Sequence, residues 1–347
     1  MEEEFKNLIK VSFCVLISLI YCHLISSNIS KGKFRLLSIT PIIFVFTILP
    51  TFLTFLLPNA IATLFLTWMA NFKLLLFAFG QGPLASDSHQ PKSLIQLISI
   101  ACLPIKIKRN ESNPSSKKSP KLPLNWPIKF LLLAISVGLH DYMKLIVHPK
   151  IVSLSYFGFV YLALDIIFGA CNTIVHFILK VDLEQPSDEP YLATSLQDFW
   201  RRRWNLMVTN LLSHTIFKPV RSSLETLLGQ WAPLPATLAT FVVSGLMHEL
   251  IFYRLTRISP SWEVTCFFVL QGLCVVVEFG LKTLLAGRWR LYPAASTLLT
   301  VGFVLATANW LLFPPLVRTG ADERVSDEYK MVLKFMKLGW IYGYCRD

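Results

Sequence analysis

Long apolar runs recur along nearly the whole chain, each close to or above the roughly 20 residues that an α-helix needs to cross about 30 Å of hydrocarbon. A bilayer offers the backbone no water, so only helices that satisfy their own N–H and C=O groups, or closed barrels, can span it. The runs lack the strict alternation of a membrane β-barrel. The sequence therefore predicts an all-α, polytopic membrane protein. Charged and proline-bearing punctuation places about eight transmembrane helices near 8–25, 36–57, 59–79, 126–147, 151–178, 232–255, 262–285 and 291–316. Only Pro58-Asn59 separates the second from the third, so a broken pair or a helical hairpin both fit there, and seven or nine spans are compatible with the pattern.

Hydrophobic residues make up 54% of the 347 and charged residues only 16%, where soluble domains carry about a quarter charged. The net charge of +12 invites a nucleic-acid reading, yet the cations are scattered through short loops and form no basic domain. Most of them follow the first, third, fifth and seventh spans, which by the positive-inside bias puts that side in the cytosol. Residues 81–125 and 180–231 are then cytosolic loops, and both termini, including the tail 317–347, are lumenal. The sequons Asn28-Ile29-Ser30 and Asn110-Glu111-Ser112 fall on the cytosolic side, where they stay unglycosylated. Within the first loop, 94–107 reads as a segment lying along the membrane and 108–118 as a flexible linker. Seven cysteines without a CxxC pair argue against structural zinc and a disulfide framework. Met1-Glu2-Glu3-Glu4 lacks the basic start of a cleaved signal, so the first run reads as a retained span. With no internal repeat, one domain over 1–347 is the simplest description.

Against this background His248 and Glu249 stand out, inside the apolar run 234–253. An unpaired charge there costs at least about 2.5–3.5 kcal/mol, so an intramembrane ionisable residue is by default a functional site. On a helix Phe241, Ser244, Gly245, His248 and Phe252 share a face. Ser244 and Gly245 leave room beside the imidazole, either for a substrate chain or for close approach of another helix. A lone histidine also serves as a structural hydrogen-bonding group. Glu249 lies about 100° away and suits a partner on another helix. Elsewhere Glu278 and Lys282, and Asp141 and Lys144, have the spacing of local ion pairs. Asp165 has no local partner and is a candidate for substrate contact; His140 and His176 complete the set.

Forty-three residues before His248 lies Phe199-Trp200-Arg201-Arg202-Arg203-Trp204-Asn205. Ser195 and Asp198 have the spacing of a capping box, and an amphipathic helix is predicted from Leu196 to about Leu211. Such a helix can lie in the interface, its tryptophans at headgroup level and its arginines on anionic lipid. The alternative is that the guanidinium groups bind the phosphates of a cytosolic substrate while Asn205 directs an amide at reacting atoms. A second amphipathic stretch, Phe217 to Glu225, keeps the loop on the membrane surface.

These residues resemble the membrane-bound O-acyltransferase superfamily, in particular its plant wax synthase branch. The resemblance rests on Ser195-Leu196-Gln197-Asp198-Phe199-Trp200-Arg201-Arg202-Arg203-Trp204-Asn205-Leu206-Met207-Val208 and on Phe241-Val242-Val243-Ser244-Gly245-Leu246-Met247-His248-Glu249. In that family the first string usually has glycine where Arg201 stands. The resemblance implies an enzyme of the endoplasmic reticulum membrane that transfers a fatty acyl group from acyl-CoA to a long-chain alcohol, a wax ester synthesis, with a sterol as the other acceptor found among relatives. It implies His248 and Asn205 as the catalytic pair. His248 would take the acceptor's proton, and Asn205 would orient the acyl donor or stabilise the oxyanion. Arg201, Arg202 and Arg203, with Trp200 and Trp204, would bind acyl-CoA, and Phe241, Ser244 and Gly245 would line the substrate tunnel. No metal or bound cofactor is required; the partners are the two substrates and membrane lipid.

The rival reading from another class is a transporter or lipid-binding protein whose polar pathway is lined by Asp141, Asp165, His248 and Glu278. Depth is the difficulty for an enzyme. His248 lies about 16 residues into its run, roughly 24 Å along a straight helix, so a surface Asn205 has far to reach.

Overall fold

A computed structural model describes residues 2–85, 93–104, 126–180, 183–284, 292–328, 330, 331 and 334, and among them every regular element is helical. Helices α1 (Glu2–Asn28) and α2 (Lys33–Ile48) are followed by α3 (Leu56–Ala78), which widens into a π-helical stretch over Thr63–Ala70. Next come α4 (Leu94–Cys102), α5 (Trp126–Ile146) and α6 (Pro149–Leu179). The loop after α6 holds three shorter helices, α7 (Leu196–Asp198), α8 (Leu206–Leu212) and α9 (Lys218–Leu228). Then α10 (Pro233–Thr256), α11 (Glu263–Leu284), α12 (Pro293–Thr307) and α13 (Pro314–Arg318) complete the bundle.

Seven of the described helices are long and apolar enough to cross a membrane, and they coincide with seven of the expected spans. The exception is the run at 126–147. Helix α5 has 21 residues, and among the described residues its apolar part is the shorter stretch Pro127–Leu139. Large apolar side chains such as Phe13, Phe44, Leu298 and Trp310 face outward along the spans, where lipid accepts them and water would not.

The boundary left open at Pro58-Asn59 is settled by capping. Chain direction breaks at Leu53-Thr54-Phe55, and Pro58 sits in the first turn of α3, where a missing N–H costs nothing. Two carboxylates meet the exposed N–H groups of that turn. Glu4 accepts from Thr54 and Phe55 at 2.9 and 3.2 Å, and Glu328 from Leu56 and Leu57 at 2.7 and 3.2 Å. Helix α4 shows a full Ser93–Gln96 capping box and buries Leu97, Ile100 and Ala101 in the cluster built by α1, α2 and α3. Its C-terminus is closed by the buried Lys73, whose Nζ donates to the carbonyls of Ile100 and Leu103 at 2.8 and 2.6 Å. The described part of the segment thus packs into the bundle; the linker 108–118 lies outside the described residues.

Ion pairs join the outer helices. Lys129 on α5 meets Asp165 on α6 at 2.6 Å, and Lys144 meets Asp322 and Glu323 at 2.6 and 3.0 Å, with Tyr156 donating to Asp322 at 2.7 Å. The side chains of His140 and Asp141 lie outside those described, so the Asp141–Lys144 pairing is not addressed. The expected Glu278–Lys282 pair is present.

The tightest seam is between α10 and α11. A Cβ on Gly245 would stand 3.2 Å from Thr265 and Phe268, and one on Gly272 only 2.7 Å from Phe241. Both glycines are therefore there for helix approach. At the end of the seam Glu249 accepts from the backbone N–H groups of Trp262 and Thr265 at 3.0 and 2.9 Å and from the Thr265 hydroxyl at 2.9 Å. It caps the N-terminus of α11, the partner on another helix that the sequence called for.

Candidate active site

The loop that carries the tryptophan and arginine cluster is locked from its first residues. The Ser195 hydroxyl accepts from Asp198 N at 3.1 Å, while the Asp198 carboxylate reaches Thr194 N at 3.3 Å, one residue beyond a strict capping box. Glu278 on α11 accepts from the backbone of Leu196 and Gln197 at 2.8 and 3.3 Å and fastens this helix start to the bundle.

The continuous helix expected from Leu196 to Leu211 does not form. Phe199–Arg203 is a single π-helical turn that ends when Trp204 N donates to Phe199 O at 2.8 Å. Asn205 then takes a left-handed conformation, φ 41° and ψ 65°, and α8 starts anew behind it. Asparagine tolerates that region better than most residues, and its side chain serves the break directly. Its Oδ1 accepts from Val208 N at 3.2 Å, so the oxygen caps α8 and the Nδ2 donors are left for another partner. Thr209 ties the break with bonds to the carbonyls of Trp200 and Trp204 at 3.1 and 3.3 Å.

The three arginines divide in two. Arg203 is half-buried and committed to the loop, with Nε on Asp198 at 2.7 Å and Nη1 on the carbonyls of Asp188 and Glu189 at 3.1 and 3.3 Å. Of the three expected acyl-CoA-binding arginines, this one has its fork on carbonyls and a carboxylate of its own loop. Arg201 and Arg202 are exposed and available for an anion. Trp200 is a wedge, donating from Nε1 to Gln271 at 3.1 Å and packing edge-on to Phe241 at 5.7 Å. Trp204 stacks on Phe199 at 5.6 Å. Both indoles hold the loop in place, a role their expected contact with acyl-CoA does not include.

His248 projects into this same neighbourhood. Its Nδ1 lies 2.8 Å from the Ser244 carbonyl, which can only accept, so Nδ1 carries a proton and, in the neutral imidazole, Nε2 keeps its lone pair. The ring stacks on Phe268 with centroids 4.1 Å apart and meets Trp68 edge-on at 5.0 Å. The expected tunnel beside it is filled in this structure. Phe241 closes over Gly272, α11 occupies the space at Gly245, and Ser244 is buried. These three residues build the seam that aligns the imidazole.

The loop and the histidine meet through shared packing. Met207, Val208, Leu211 and Leu212 of α8 form one cluster with Trp68 of α3, and Val243, Met247 and Ile251 of α10 pack against it. From the other side Trp200 contacts Phe268 at 5.9 Å, the ring on which His248 lies. Asn205 also borders a cavity of about 20 Å³, room for about one water, with Tyr161, Asp165, Ser187 and Trp204 around it. Asp165, with no local partner in sequence, is held there by Lys129 and Ser187. Sequence reasoning passed over Trp68, Phe268, Gln271 and Gly272. Nothing in an apolar run distinguishes such residues until the partner helix is in place. Among the described residues no cluster of three or more metal-ligating side chains occurs.

Comparison with known proteins bears on what this arrangement is. Residues 184–270, the stretch from the loop into α11, match the Membrane bound O-acyl transferase family. The chain is 41% identical over 342 residues to "Probable long-chain-alcohol O-fatty-acyltransferase 3" of Arabidopsis thaliana, covering 97% of each chain. It is 40% identical over 353 residues to "Long-chain-alcohol O-fatty-acyltransferase" of Simmondsia chinensis, with 98% and 99% covered. It is also 39% identical over 332 residues to "Acyl-CoA--sterol O-acyltransferase 1" of Arabidopsis thaliana, with 95% and 96% covered. Similar along nearly its whole length to proteins of this kind, and carrying the family's matched segment around the Asn205 break and His248, the chain belongs to the membrane bound O-acyl transferase family.

Proposed function

We propose that the protein is an acyl-CoA-dependent long-chain-alcohol O-fatty-acyltransferase that makes wax esters in the endoplasmic reticulum membrane. The observation that carries the mechanism is His248, whose Nδ1–H is held by the Ser244 carbonyl so that Nε2 is free to act as a base among apolar rings. Nε2 takes the hydroxyl proton as the alcohol oxygen attacks the thioester carbonyl. The new C–O bond forms, the C–S bond breaks, and the proton passes from the imidazolium to the leaving thiolate, giving free CoA. Nδ2 of Asn205 orients the acyl donor or meets the oxygen that gains charge. Arg201 and Arg202 hold the phosphates of CoA, which arrives from the cytosol, while Arg203 keeps the loop in shape. In this reading residues 81–125 and 180–231 face the cytosol, 317–347 faces the lumen, and the whole chain is one domain.

The 39% identity to an acyl-CoA–sterol acyltransferase supports a second acceptor, a sterol. One experiment tests both. The chain is expressed in yeast lacking its own neutral-lipid acyltransferases, supplied with long-chain alcohols, and the lipids are separated by class. Wax ester is expected, steryl ester would assign the other acceptor, and His248→Ala should abolish either. Ester formation undiminished in His248→Ala would rule out the base assigned here.

A further inference from the structure

Trp68 is among the largest fully buried side chains, 2% exposed, yet its indole Nε1–H has no hydrogen-bond acceptor among the described residues. Indole is a donor only, and leaving such a group buried and unpaired is unfavourable. Trp200, by contrast, spends its donor inside the protein, on Gln271. Trp68 stands in the π-helical stretch of α3, a distortion that proteins often keep at functional positions. It touches both halves of the site. Its ring is edge-on to the His248 imidazole at 5.0 Å, and it shares a packing cluster with α8, the helix that Asn205 caps.

Resting on the acyltransferase reading above, we propose that Trp68 is a further catalytic residue, whose indole N–H donates to the acyl carbonyl oxygen as that oxygen takes up negative charge. A donor without a partner in the free protein gains one as the thioester oxygen becomes anionic. It therefore favours the transition state over the free enzyme. The base and this donor belong to rings whose centroids lie 5.0 Å apart, and Asn205 completes the set from the loop.

The decisive variant replaces Trp68 by benzothienylalanine, which keeps the bicyclic ring and exchanges N–H for sulfur; Trp68→Phe accompanies it. Purified wild type, both variants and His248→Ala are assayed with labelled acyl-CoA and a long-chain alcohol, and melting is followed in detergent. Removing one oxyanion donor costs about 100-fold or more in kcat. A kcat loss of about that order is expected with the isostere, with little change in KM, in melting temperature, or in the midpoint of the pH–rate profile. Wild-type kcat with the isostere would overturn the proposal. So would a shifted pH midpoint, which would place the donor on the imidazole, or a rate loss matched by a stability loss, which would leave Trp68 as packing. If wild type makes no ester from any alcohol, the acyltransferase reading itself fails, and this inference with it. If His248→Ala is inactive while the isostere is fully active, only the role of Trp68 falls.

Discussion

Alanine at Gly272 should damage catalysis more than stability, because the clash it creates is transmitted to the face that supports His248. The new Cβ would lie 2.7, 2.9 and 3.1 Å from Cβ, Cγ and Cδ2 of Phe241, where ordinary contacts begin at 3.4 Å. The nearest of these atoms is a Cβ, fixed to the backbone, so the two helices must part by about 0.7 Å or more at this level. Overpacking of this kind costs about 1–3 kcal/mol, a fall of about 1–4 °C in melting temperature for a chain of several hundred residues. Phe268 lies one turn before Gly272 on the same face and carries the stacked imidazole at 4.1 Å. A displacement approaching 1 Å at a reacting group can cost about 100-fold in rate. Two neighbours calibrate the result. Gly245→Ala brings contacts of 3.2 Å and should be milder, whereas a Cβ at Gly280, also on α11, meets nothing within 4 Å and gains about 1 kcal/mol of helix propensity. Melting in detergent and kcat from labelled acyl-CoA would be ranked across the three variants. If Gly272→Ala behaved like Gly280→Ala in both measurements, the tight seam and its link to His248 would be refuted.

Arg203→Gln should destabilise the loop by about 1–3 kcal/mol through the loss of its carboxylate and carbonyl bonds; Arg201→Ala and Arg202→Ala should instead raise KM for acyl-CoA and weaken its salt dependence at unchanged melting temperature. Asn205→Gly keeps the left-handed backbone and loses the amide, so it should remain folded with a large kcat loss. Asn205→Ala adds backbone strain and a lost cap, about 1 kcal/mol each, and a melt of the two variants should separate them. Burial pushes the Asp322 carboxyl up, but bonds from Lys144 and Tyr156 outweigh it and hold the group below its usual value. A depressed carboxylate contributes stability that is complete above the unfolded pKa of about 3.9 and is lost as pH falls through the lower folded value. Asp322→Asn should therefore lose stability by a constant amount from pH 5 to 7, and the difference from wild type should close only below about pH 4.

Much of this architecture is local and could be read directly. Seven spans follow from run length, the Ser195 start from a short hydroxyl side chain before a periodic stretch, and the Glu278–Lys282 pair from helical spacing. His248 is legible for the same reason, since an imidazole deep in an apolar run needs no partner helix to be conspicuous. What escaped depends on contacts across the fold. Gly272 reads as one small residue among many until Phe241 is seen against it. Arg203 is indistinguishable from Arg201 and Arg202 in a basic triplet, and only the folded loop supplies Asp198 and two carbonyls to one of the three. The helix predicted through Asn205 fails because hydrophobic periodicity describes side chains, while the break is made by the backbone at one residue.

That break also bears on the problem of depth. A surface helix from Leu196 to Leu211 would have left Asn205 far above an imidazole about 16 residues into α10. Restarting at Leu206 instead turns α8 inward, so that Met207, Val208, Leu211 and Leu212 are buried against Trp68 and Met69 of α3, with Met247 and Ile251 beside them on α10. Trp68 lies midway along α3. Irregular backbone is tolerated at membrane depth only where protein surrounds it, and several groups of the break are met within the fold. Leu206 N reaches Pro186 O at 2.8 Å, Asp188 N reaches Arg203 O at 2.9 Å, and the Asn205 side chain caps α8. The apolar residues after Asn205 thus act as an anchor that packs the loop against α3 and α10, while Arg201 and Arg202 before it stay exposed. The proposed reaction, which joins a water-borne phosphate donor to a lipid-borne alcohol, would use that division between two adjacent turns of one loop.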